Sequence, residues 1–236
     1  QEVARFEGRY PGRFMTYALV DWRGVGTPGW GKRAAAQLAA DFRAGAKGLK
    51  LHKRLGLTIR LPDGKRLAID DKRLDPIWRA CAAAGRPVEW HVADPAAFFV
   101  PLDRQNERWH ELHEHPEWLF ADRARYPTRA RLFAERNRVL ARHPKMRVIG
   151  AHMANSSEDL EQLARWLRRY PNLYVDIDAR INELGRQPYT ARRFIIAFQD
   201  RVMFGTDTFR VTRAVYETYY RFLETDDEYF DTAPAN

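Results

Sequence analysis

Short apolar runs alternate with longer amphipathic stretches along most of the chain. Each run is bounded by Gly, Pro, Asn or Asp, which is typical of buried strands between turns. Six runs predict strands, at residues 13–20, 48–52, 87–91, 147–152, 172–177 and 201–206. The intervening stretches predict helices, at residues 32–44, 71–84, 128–142, 156–169 and 190–199, the fourth opened by the capping-box pattern Ser156-Ser157-Glu158-Asp159. This alternation indicates right-handed βαβ units around a parallel sheet.

Six such units fit two α/β architectures. A closed (β/α)₈ barrel has eight strands, whereas an open doubly wound sheet can use six. No phosphate loop of the G-x-x-x-x-G-K-[ST] type occurs, and we expect no dinucleotide-binding fingerprint either. A nucleotide-binding sheet is therefore disfavoured, while a barrel and an open sheet both remain possible for this α/β chain.

Composition narrows the class of protein further. Hydrophobic residues make up 45% of the 236 residues, so the chain is globular, and no apolar run reaches the roughly 18 residues of a membrane span. The net charge of +9 raises the question of nucleic acid, but the basic residues are scattered among acids, which favours a solvated surface. Cys81, the single cysteine, excludes an internal disulfide framework.

The first residue is Gln1, and no secretory leader pattern follows it. We expect a cytoplasmic protein, with a removed leader or a fragment as the open explanations for the missing Met.

The residues that could take part in catalysis or metal binding lie at strand ends. His52, His91 and His152 close three predicted strands, and Asp207 follows a fourth. The C-terminal edge of the strands is where α/β barrels build their active sites. A lone histidine at a strand end is more often structural, but three in equivalent places with a final aspartate point to a metal site, since imidazole and carboxylate are usual ligands of zinc and related ions.

The strand segments also resemble a known family. They are similar to the amidohydrolase-related metal-dependent hydrolases (amidohydrolase family 2), in the same order and over residues 10 to 210. The matching segments are RFMTYALVD, GAKGLKLHK, GRPVEWHVADP, RVIGAHMANSSEDL, YPNLYVDIDAR and DRVMFGTD. The most diagnostic pair is the histidine of GAHMAN and the closing FGTD.

The resemblance implies roles for three residues. It implies that His91 and Asp207 are metal ligands, that Asp207 also takes a proton from the metal-activated water, and that His152 is a catalytic neighbour of the metal. It implies zinc, with manganese or iron as alternatives. A general base within hydrogen-bond reach of the water, and a donor opposite the developing oxyanion, are what such chemistry needs.

One departure from the family pattern is the absence of the His-x-His motif that its first strand supplies. The resemblance then implies a single (β/α)₈ domain of TIM-barrel type over residues 1–236, with the six strands as barrel strands 3 to 8. It implies that the first two strands and the C-terminal end are lacking from a truncated sequence. A shortened, metal-free relative is the alternative.

Candidate substrate contacts flank these residues. Arg180 could hold a carboxylate bidentately, and His52 shares a strand face with Lys50. The long aromatic segment 94–123 offers further candidates for a pocket wall, namely Phe98, Phe99, Trp109 and Trp118. Packing against the barrel is the competing interpretation for all of them.

Three functions remain open from the sequence. The leading one is hydrolysis of a small amide, lactone or ester. A non-oxidative decarboxylase of an unsaturated or aromatic acid on the same fold is the first alternative. A basic, metal-free protein that binds nucleic acid or another anion is the second. The expected partner is a small-molecule substrate; a membrane is not expected, nucleic acid is disfavoured, and homo-oligomerisation is open.

Overall fold

The computed structural model describes residues 3–208 and 212–230, and a six-stranded parallel sheet forms its centre. The strands are β1 (Tyr17–Ala18), β2 (Gly48–Leu51), β3 (Val88–Trp90), β4 (Val148–Gly150), β5 (Leu173–Asp176) and β6 (Val202–Met203). Their spatial order is β1-β2-β3-β4-β5-β6, and every neighbouring pair is parallel. A doubly wound sheet reverses direction at a switch point, whereas sequential order is that of a barrel. The predicted TIM-barrel type is thus confirmed, and the six strands fit part of a (β/α)₈ barrel.

Helices cover the outside of this sheet and begin close to where the sequence predicts. The helical elements are α1 (Trp30–Arg43), α2 (Arg54–Leu57), α3 (Asp75–Ala83), α4 (Trp109–Glu114), α5 (Arg129–Arg142), α6 (Ala151–Ala154), α7 (Leu160–Arg169), α8 (Ile181–Gly185), α9 (Pro188–Ala197) and α10 (Arg213–Glu224). Two of them, α2 and α6, are single turns with non-helical backbone angles. In the described part of the chain, no helix is long and apolar enough to cross a bilayer.

Some predicted boundaries are wrong. The first and last strands pair over two residues each, Tyr17–Ala18 and Val202–Met203, because each has only one neighbouring strand among the described residues. The helix expected from Ser156 begins instead at Leu160, and its cap is Asp159, whose carboxylate accepts from the Gln162 amide. Ser156 and Ser157 belong to the buried exit of β4.

A second expectation fails in the sequence itself. Gly24, Gly26 and Gly29 do have the G-x-G-x-x-G spacing. They lie in the loop between β1 and α1, six residues beyond the end of the strand, whereas the dinucleotide fingerprint follows its strand directly. A Cβ on Gly26 would lie 2.7 Å from Pro62 Cδ, so this glycine serves close packing of the loop. The sheet order independently argues against a dinucleotide fold.

The two faces of the strands differ sharply. In β3, the outer residues Val88 and Trp90 are buried, and Trp90 packs against Trp78 of α3 with ring centroids 5.0 Å apart. The residue between them, Glu89, faces inward and pairs with Lys50 of β2. Cys81 lies in the outer apolar layer, where burial raises its thiol pKa to about 12, so it is a structural cysteine.

Outside the barrel, Glu135 of α5 anchors the segment between α2 and α3. Its carboxylate pairs with Arg66 and Arg131, and it accepts a 3.0 Å hydrogen bond from the Ile69 amide. Burial alone would raise the pKa of Glu135, but the Arg66 hydrogen bond, the Ile69 amide and Arg131 together lower it. Because Glu135 is only 1% exposed, removing its charge leaves guanidinium groups without their partner.

We predict that Glu135→Gln lowers the free energy of unfolding by about 2–3 kcal/mol at pH 7. A carboxylate with a lowered folded pKa stabilises the fold above its unfolded pKa, and the contribution is lost as the pH falls through the folded pKa. The difference from wild type should therefore begin to shrink near the ordinary value of 4.5 and vanish in stronger acid. Urea unfolding at several pH values measures it. Glu161→Gln, which breaks an exposed pair with Arg165, is the control and should cost under about 0.5 kcal/mol. A difference that persists unchanged at low pH would contradict the assignment.

The sheet edges carry exposed apolar side chains. Met15 and Leu19 flank β1 and Phe204 follows β6, all exposed. Unpaired strand edges with apolar surface favour association between chains.

We predict that this 236-residue chain, expressed alone, self-associates. Introducing Met15→Lys with Leu19→Lys should reduce light scattering at the same concentration, whereas Val100→Lys, an exposed apolar residue away from both edges, should not. A soluble monomer with cooperative melting for the unmodified chain would show that the edges are already protected.

Candidate active site

A cleft of about 480 Å³ opens at the C-terminal edge of the strands. The predicted residues His91, His152 and Asp207 all line it, so three strand exits converge on one cavity. Its wall also includes three cationic side chains and three aromatic ones, namely Lys53, Arg108, Arg180, Phe98, Trp118 and Tyr219. This is the edge at which α/β barrels place their chemistry.

The backbone at this edge is strained. The described part of the chain has seven non-glycine residues in the left-handed region, and all of them lie after β3, β4, β5 or β6: Ala93, His152, Met153, Ala154, Asn155, Ala179 and Asp207. Each left-handed L-residue costs roughly 1–2 kcal/mol, so surrounding contacts must hold them. Strain of this kind concentrates at functional sites.

His152 is fixed at both its backbone and its ring. Its amide donates to Asp176 Oδ1 at 2.6 Å, and its Nδ1 lies 2.9 Å from the Asp178 carbonyl oxygen. A carbonyl only accepts, so Nδ1 carries the proton and Nε2 offers a lone pair. Burial lowers the pKa of His152 to about 2, with His91 and Arg180 adding to the effect. The neutral ring points Nε2 at Asp207 Oδ2, 3.8 Å away.

His91 is held by a carboxylate. Its Nε2 lies 3.0 Å from Asp94 Oδ1, and Asp94 Oδ2 lies 2.9 Å from Lys53 Nζ. Burial would raise the pKa of Asp94, but the hydrogen bond to His91 and the charge of Lys53 lower it. The His91 and His152 rings meet edge to face, with centroids 4.5 Å apart. A carboxylate behind a histidine commonly orients it as a metal ligand, which here would leave Nδ1 for the metal.

Asp207 is the most open member of the group. Its side chain is 52% exposed, and its backbone is left-handed at φ 54°. Within the described residues, it approaches His152 and not His91 to within 4 Å. The structure therefore brings the three residues to one cleft, with His152 between the two proposed ligands.

The donor set fits a divalent ion. Zinc bonds to nitrogen and oxygen at about 2.0–2.2 Å, so two ligands of one ion lie roughly 3 to 4 Å apart. His152 Nε2 and Asp207 Oδ2 have that spacing, whereas Asp207 does not approach His91 to within 4 Å, so His91 and Asp207 would share an ion only after a movement of the exposed Asp207 side chain. Three further carboxyl groups lie together inside the barrel, since Glu89, Asp176 and Asp178 offer oxygens within 4.8 Å of one another. Asp178 Oδ1 is buried without a hydrogen-bond donor.

The inner carboxylates also resist ionisation. Burial raises the pKa of both Asp176 and Asp178 above their ordinary values. Repulsion by Asp178 adds to the effect on Asp176, and repulsion by Asp207 and Glu89 adds to the effect on Asp178. The Asp178 carboxylate can sit this close to β6 because Gly205 has no side chain; a Cβ there would lie 1.6 Å from Asp178 Oδ1.

The predicted substrate contacts divide into two groups. Phe98 and Arg180 line the cleft, whereas His52 is exposed and is not part of its wall. Trp109 faces a separate shallow depression beside Arg104 and His110, because it stacks on His113 within α4. Trp118 lies in the cleft instead.

Two cationic residues of the cleft were not predicted. Lys53 follows the exit of β2 and lies over the Trp118 ring at 4.8 Å, so the strand-end argument could have found it. Arg108 comes from the long loop after β3 and pairs with Glu183 and Glu111. Nothing in its sequence neighbourhood signals that placement.

Comparison with known families decides the class of the chain. A family model described as amidohydrolase matches residues 10–233. The chain belongs to the amidohydrolase family. Members of this amidohydrolase family are metal-dependent enzymes, either hydrolases or decarboxylases, and the resemblance predicted from the sequence is confirmed.

Solved structures agree on the fold. An uncharacterised TIM-barrel protein from Bordetella bronchiseptica is 21% identical with a TM-score of 0.53, over 87% of this chain and 58% of that one. The 5-carboxyvanillate decarboxylase of Sphingomonas paucimobilis is 16% identical with a TM-score of 0.57, over 95% and 65%. A dihydroxybenzoic acid decarboxylase from a Polaromonas species, solved with manganese and an inhibitor, is 17% identical with a TM-score of 0.55, over 92% and 69%. This chain thus spans little more than half the length of the first of these proteins. A search of curated proteins found no match.

We predict that His91→Asn and His152→Asn separate the two histidines by role. In the full-length protein, His91→Asn should lower bound metal, because an amide is a poor ligand, whereas His152→Asn should retain more of it. Metal content by plasma mass spectrometry on freshly purified protein measures this, with His113→Asn on α4 as the control. Equal loss in both variants would make His152 a ligand.

Proposed function

We propose that this protein is a metal-dependent enzyme of the amidohydrolase family that acts on a small organic acid, and that its reaction is non-oxidative decarboxylation. The observation that carries this proposal is the composition of one cleft. His91, His152 and Asp207 share it with three cationic side chains, Lys53, Arg108 and Arg180. Cations beside a metal-type donor set suit an anionic substrate.

The reaction class is supported by relatives on the same fold. Two of the similar structures are decarboxylases of aromatic acids, one of them with bound manganese. In such a reaction the bond between the ring carbon and the carboxylate breaks, carbon dioxide leaves, and the ring carbon takes a proton. The site must therefore hold an acid and deliver a proton to carbon.

The chain offers groups for both tasks. Asp207 is exposed to the cleft and lies beside His152, so it can carry a proton to the carbon that loses the carboxylate. Nδ1 of the neutral His152 ring donates to the Asp178 carbonyl, so Nε2 is left as an acceptor. Nε2 can therefore orient the proton on Asp207 by accepting a hydrogen bond from it. Phe98 and Trp118, 6.4 Å apart and stacked, offer an apolar wall to a planar substrate.

His91 and Asp207 are the residues that would hold the divalent ion, and the ion would supply Lewis-acid polarisation of the bound acid. Zinc remains the first choice for the metal and manganese or iron the alternatives. Nitrogen and oxygen donors accept all three.

Arg180 is not free to bind the substrate carboxylate in the bidentate way that the sequence suggests. Arg180 is 6% exposed, and its Nη1 and Nη2 donate to the Ala179 carbonyl and to Asn155 Oδ1. Only Nε lacks a partner, and it is buried. Binding a carboxylate through both Arg180 Nη atoms would require those bonds to break. Lys53 and Arg108 already pair with Asp94 and with Glu111 and Glu183, but their side chains are 23% and 17% exposed, so they can reach an anion in the cleft more readily.

Hydrolysis of an amide, lactone or ester is the second candidate. It is favoured by the same donor set, because a base beside a metal site also activates water. The basic nucleic-acid or anion-binding alternative has less support, since many arginines pair with acids or donate to backbone carbonyls on the surface.

We predict that Asp207→Asn in the full-length protein retains the fold but loses turnover by about 10² to 10⁴. The amide is nearly isosteric, yet it can neither ligate the ion well nor carry the proton. The measurement is carbon dioxide release from a panel of hydroxylated aromatic and unsaturated acids, run beside matched amides, esters and lactones. Asp200→Asn, an exposed aspartate before β6, is the control.

Release of carbon dioxide from an acid supports the proposal, and turnover of an amide, ester or lactone alone replaces it with hydrolysis. Full activity of the Asp207 variant with wild-type metal content would overturn the mechanism.

A further inference from the structure

The exit of β4 has an unusual backbone. His152, Met153, Ala154 and Asn155 follow one another with φ of 60°, 57°, 51° and 53°, a complete left-handed turn built without glycine. Left-handed residues normally occur singly. All four are buried, so water does not stabilise the turn. Its conformation must therefore be held by protein contacts.

Those contacts come from two arginines of α5 and from the sheet. Arg136 Nη1 donates to the Ala154 carbonyl at 3.0 Å, and Arg129 Nη2 donates to the Asn155 carbonyl. At the other end, Asp176 accepts from the His152 amide. Hydrogen bonds thus hold the turn from α5 and from β5. The turn places the Asn155 side chain between these two elements.

The Asn155 amide connects three strand exits. Nδ2 donates to the carbonyls of Val92 and Ala93 at 3.1 and 3.3 Å, in the segment between His91 and Asp94. Oδ1 accepts from Arg180 Nη2 at 2.5 Å, beyond β5. Asn155 is 1% exposed, so these bonds are made in an environment that excludes competing water.

We propose that Asn155 is a positioning residue for the proposed active site. It acts through other residues rather than on substrate: it fixes the His91–Asp94 segment against the His152 turn and anchors Arg180. The left-handed turn is the device that brings it there. The functional consequence, a pair of histidines correctly spaced for a metal, rests on the proposed function. The effect of Asn155 on the positions of the His91 and His152 rings can be tested separately.

The chain supplies a matched control. Asn172 is also buried, and its Nδ2 also donates to backbone carbonyls, those of Leu140, His143 and Met146. Asn172 precedes β5 and Met146 precedes β4, so these bonds lie at the opposite end of the strands from the cleft. Asn155→Asp and Asn172→Asp each replace donors by a carboxylate of the same shape facing carbonyl oxygens. Both should lower the melting temperature of the full-length protein, by roughly 5 °C or more.

The site readouts should distinguish the two variants. In ¹⁵N-detected spectra of the histidine rings, Asn155→Asp should shift or broaden the His91 and His152 resonances, whereas Asn172→Asp should leave them unchanged. Binding of Mn²⁺, measured by calorimetry, should weaken about 10- to 100-fold in the Asn155 variant only. Asn155→Gly keeps a backbone that favours the turn but removes the amide, so it should reproduce the site effects with a smaller loss of stability.

The outcomes are separable from those of the proposed function. Wild-type protein that binds no metal would overturn the metal-dependent function, while the ring spectra would still test the positioning role. Unchanged His91 and His152 resonances in Asn155→Asp, or equal changes in both aspartate variants, would overturn the positioning role. Wild-type spectra and Mn²⁺ affinity in Asn155→Gly would show that the turn alone, and not the amide, sets the site.

Discussion

The hydrogen bond from the His152 amide to the Asp176 carboxylate ties two adjacent strand exits at the point where the chain leaves the sheet in a left-handed turn. Two features of the cleft depend on that turn. It sets the direction of the His152 ring, and it places Asn155 against the β3 exit. Because the left-handed conformation is unfavourable for these residues, the local sequence cannot maintain it without the arginines of α5 and the carboxylate of β5.

A polar barrel interior follows from the same arrangement. Lys50, Glu89, Asp176 and Asp178 lie on inward-facing positions of β2, β3 and β5 or its exit. Asp176 and Asp178 are harder to ionise than usual, because they are buried and because one cation cannot neutralise the neighbouring acids. The outer faces of the same strands carry Val88, Trp90 and Val175, and they supply the apolar core against the helices. The outer face of the sheet thus contributes to stability, whereas the inner face and the C-terminal edge of the strands carry the polar groups of the candidate active site.

Arginine has a structural part in this protein that net charge conceals. Arg136 is buried between the Phe133 and Trp166 rings, 5.0 and 4.2 Å from their centroids, and burial lowers its pKa to about 9. It has no carboxylate partner among the hydrogen bonds described for it; it donates to the Asn137 side chain and the Ala154 carbonyl. The planar, weakly hydrated guanidinium group can stack between two rings and donate several hydrogen bonds while buried, which a lysine ammonium group does less well. Part of the positive net charge therefore comes from arginine side chains that hold the β4 exit in place.

The sequence alone determined the order of strands and helices, the barrel type and the strand exits that bear His91, His152 and Asp207. The order of the elements follows from local periodicity and turn residues, and the barrel type follows from the resemblance of the strand segments to the family. The shared position of the three residues follows from the rule that parallel strands end at one edge. Only the tertiary structure decided which side chains meet across that edge. Lys53 and Asp94 are 41 residues apart, and Asn155 and Val92 are 63 apart, so their contacts depend on strand register and twist. Trp118 rather than Trp109 faces the cleft because the long loop folds back with its own stacking pairs. The left-handed turn is likewise invisible in a sequence without glycine, since long-range hydrogen bonds, and not residue preference, stabilise it.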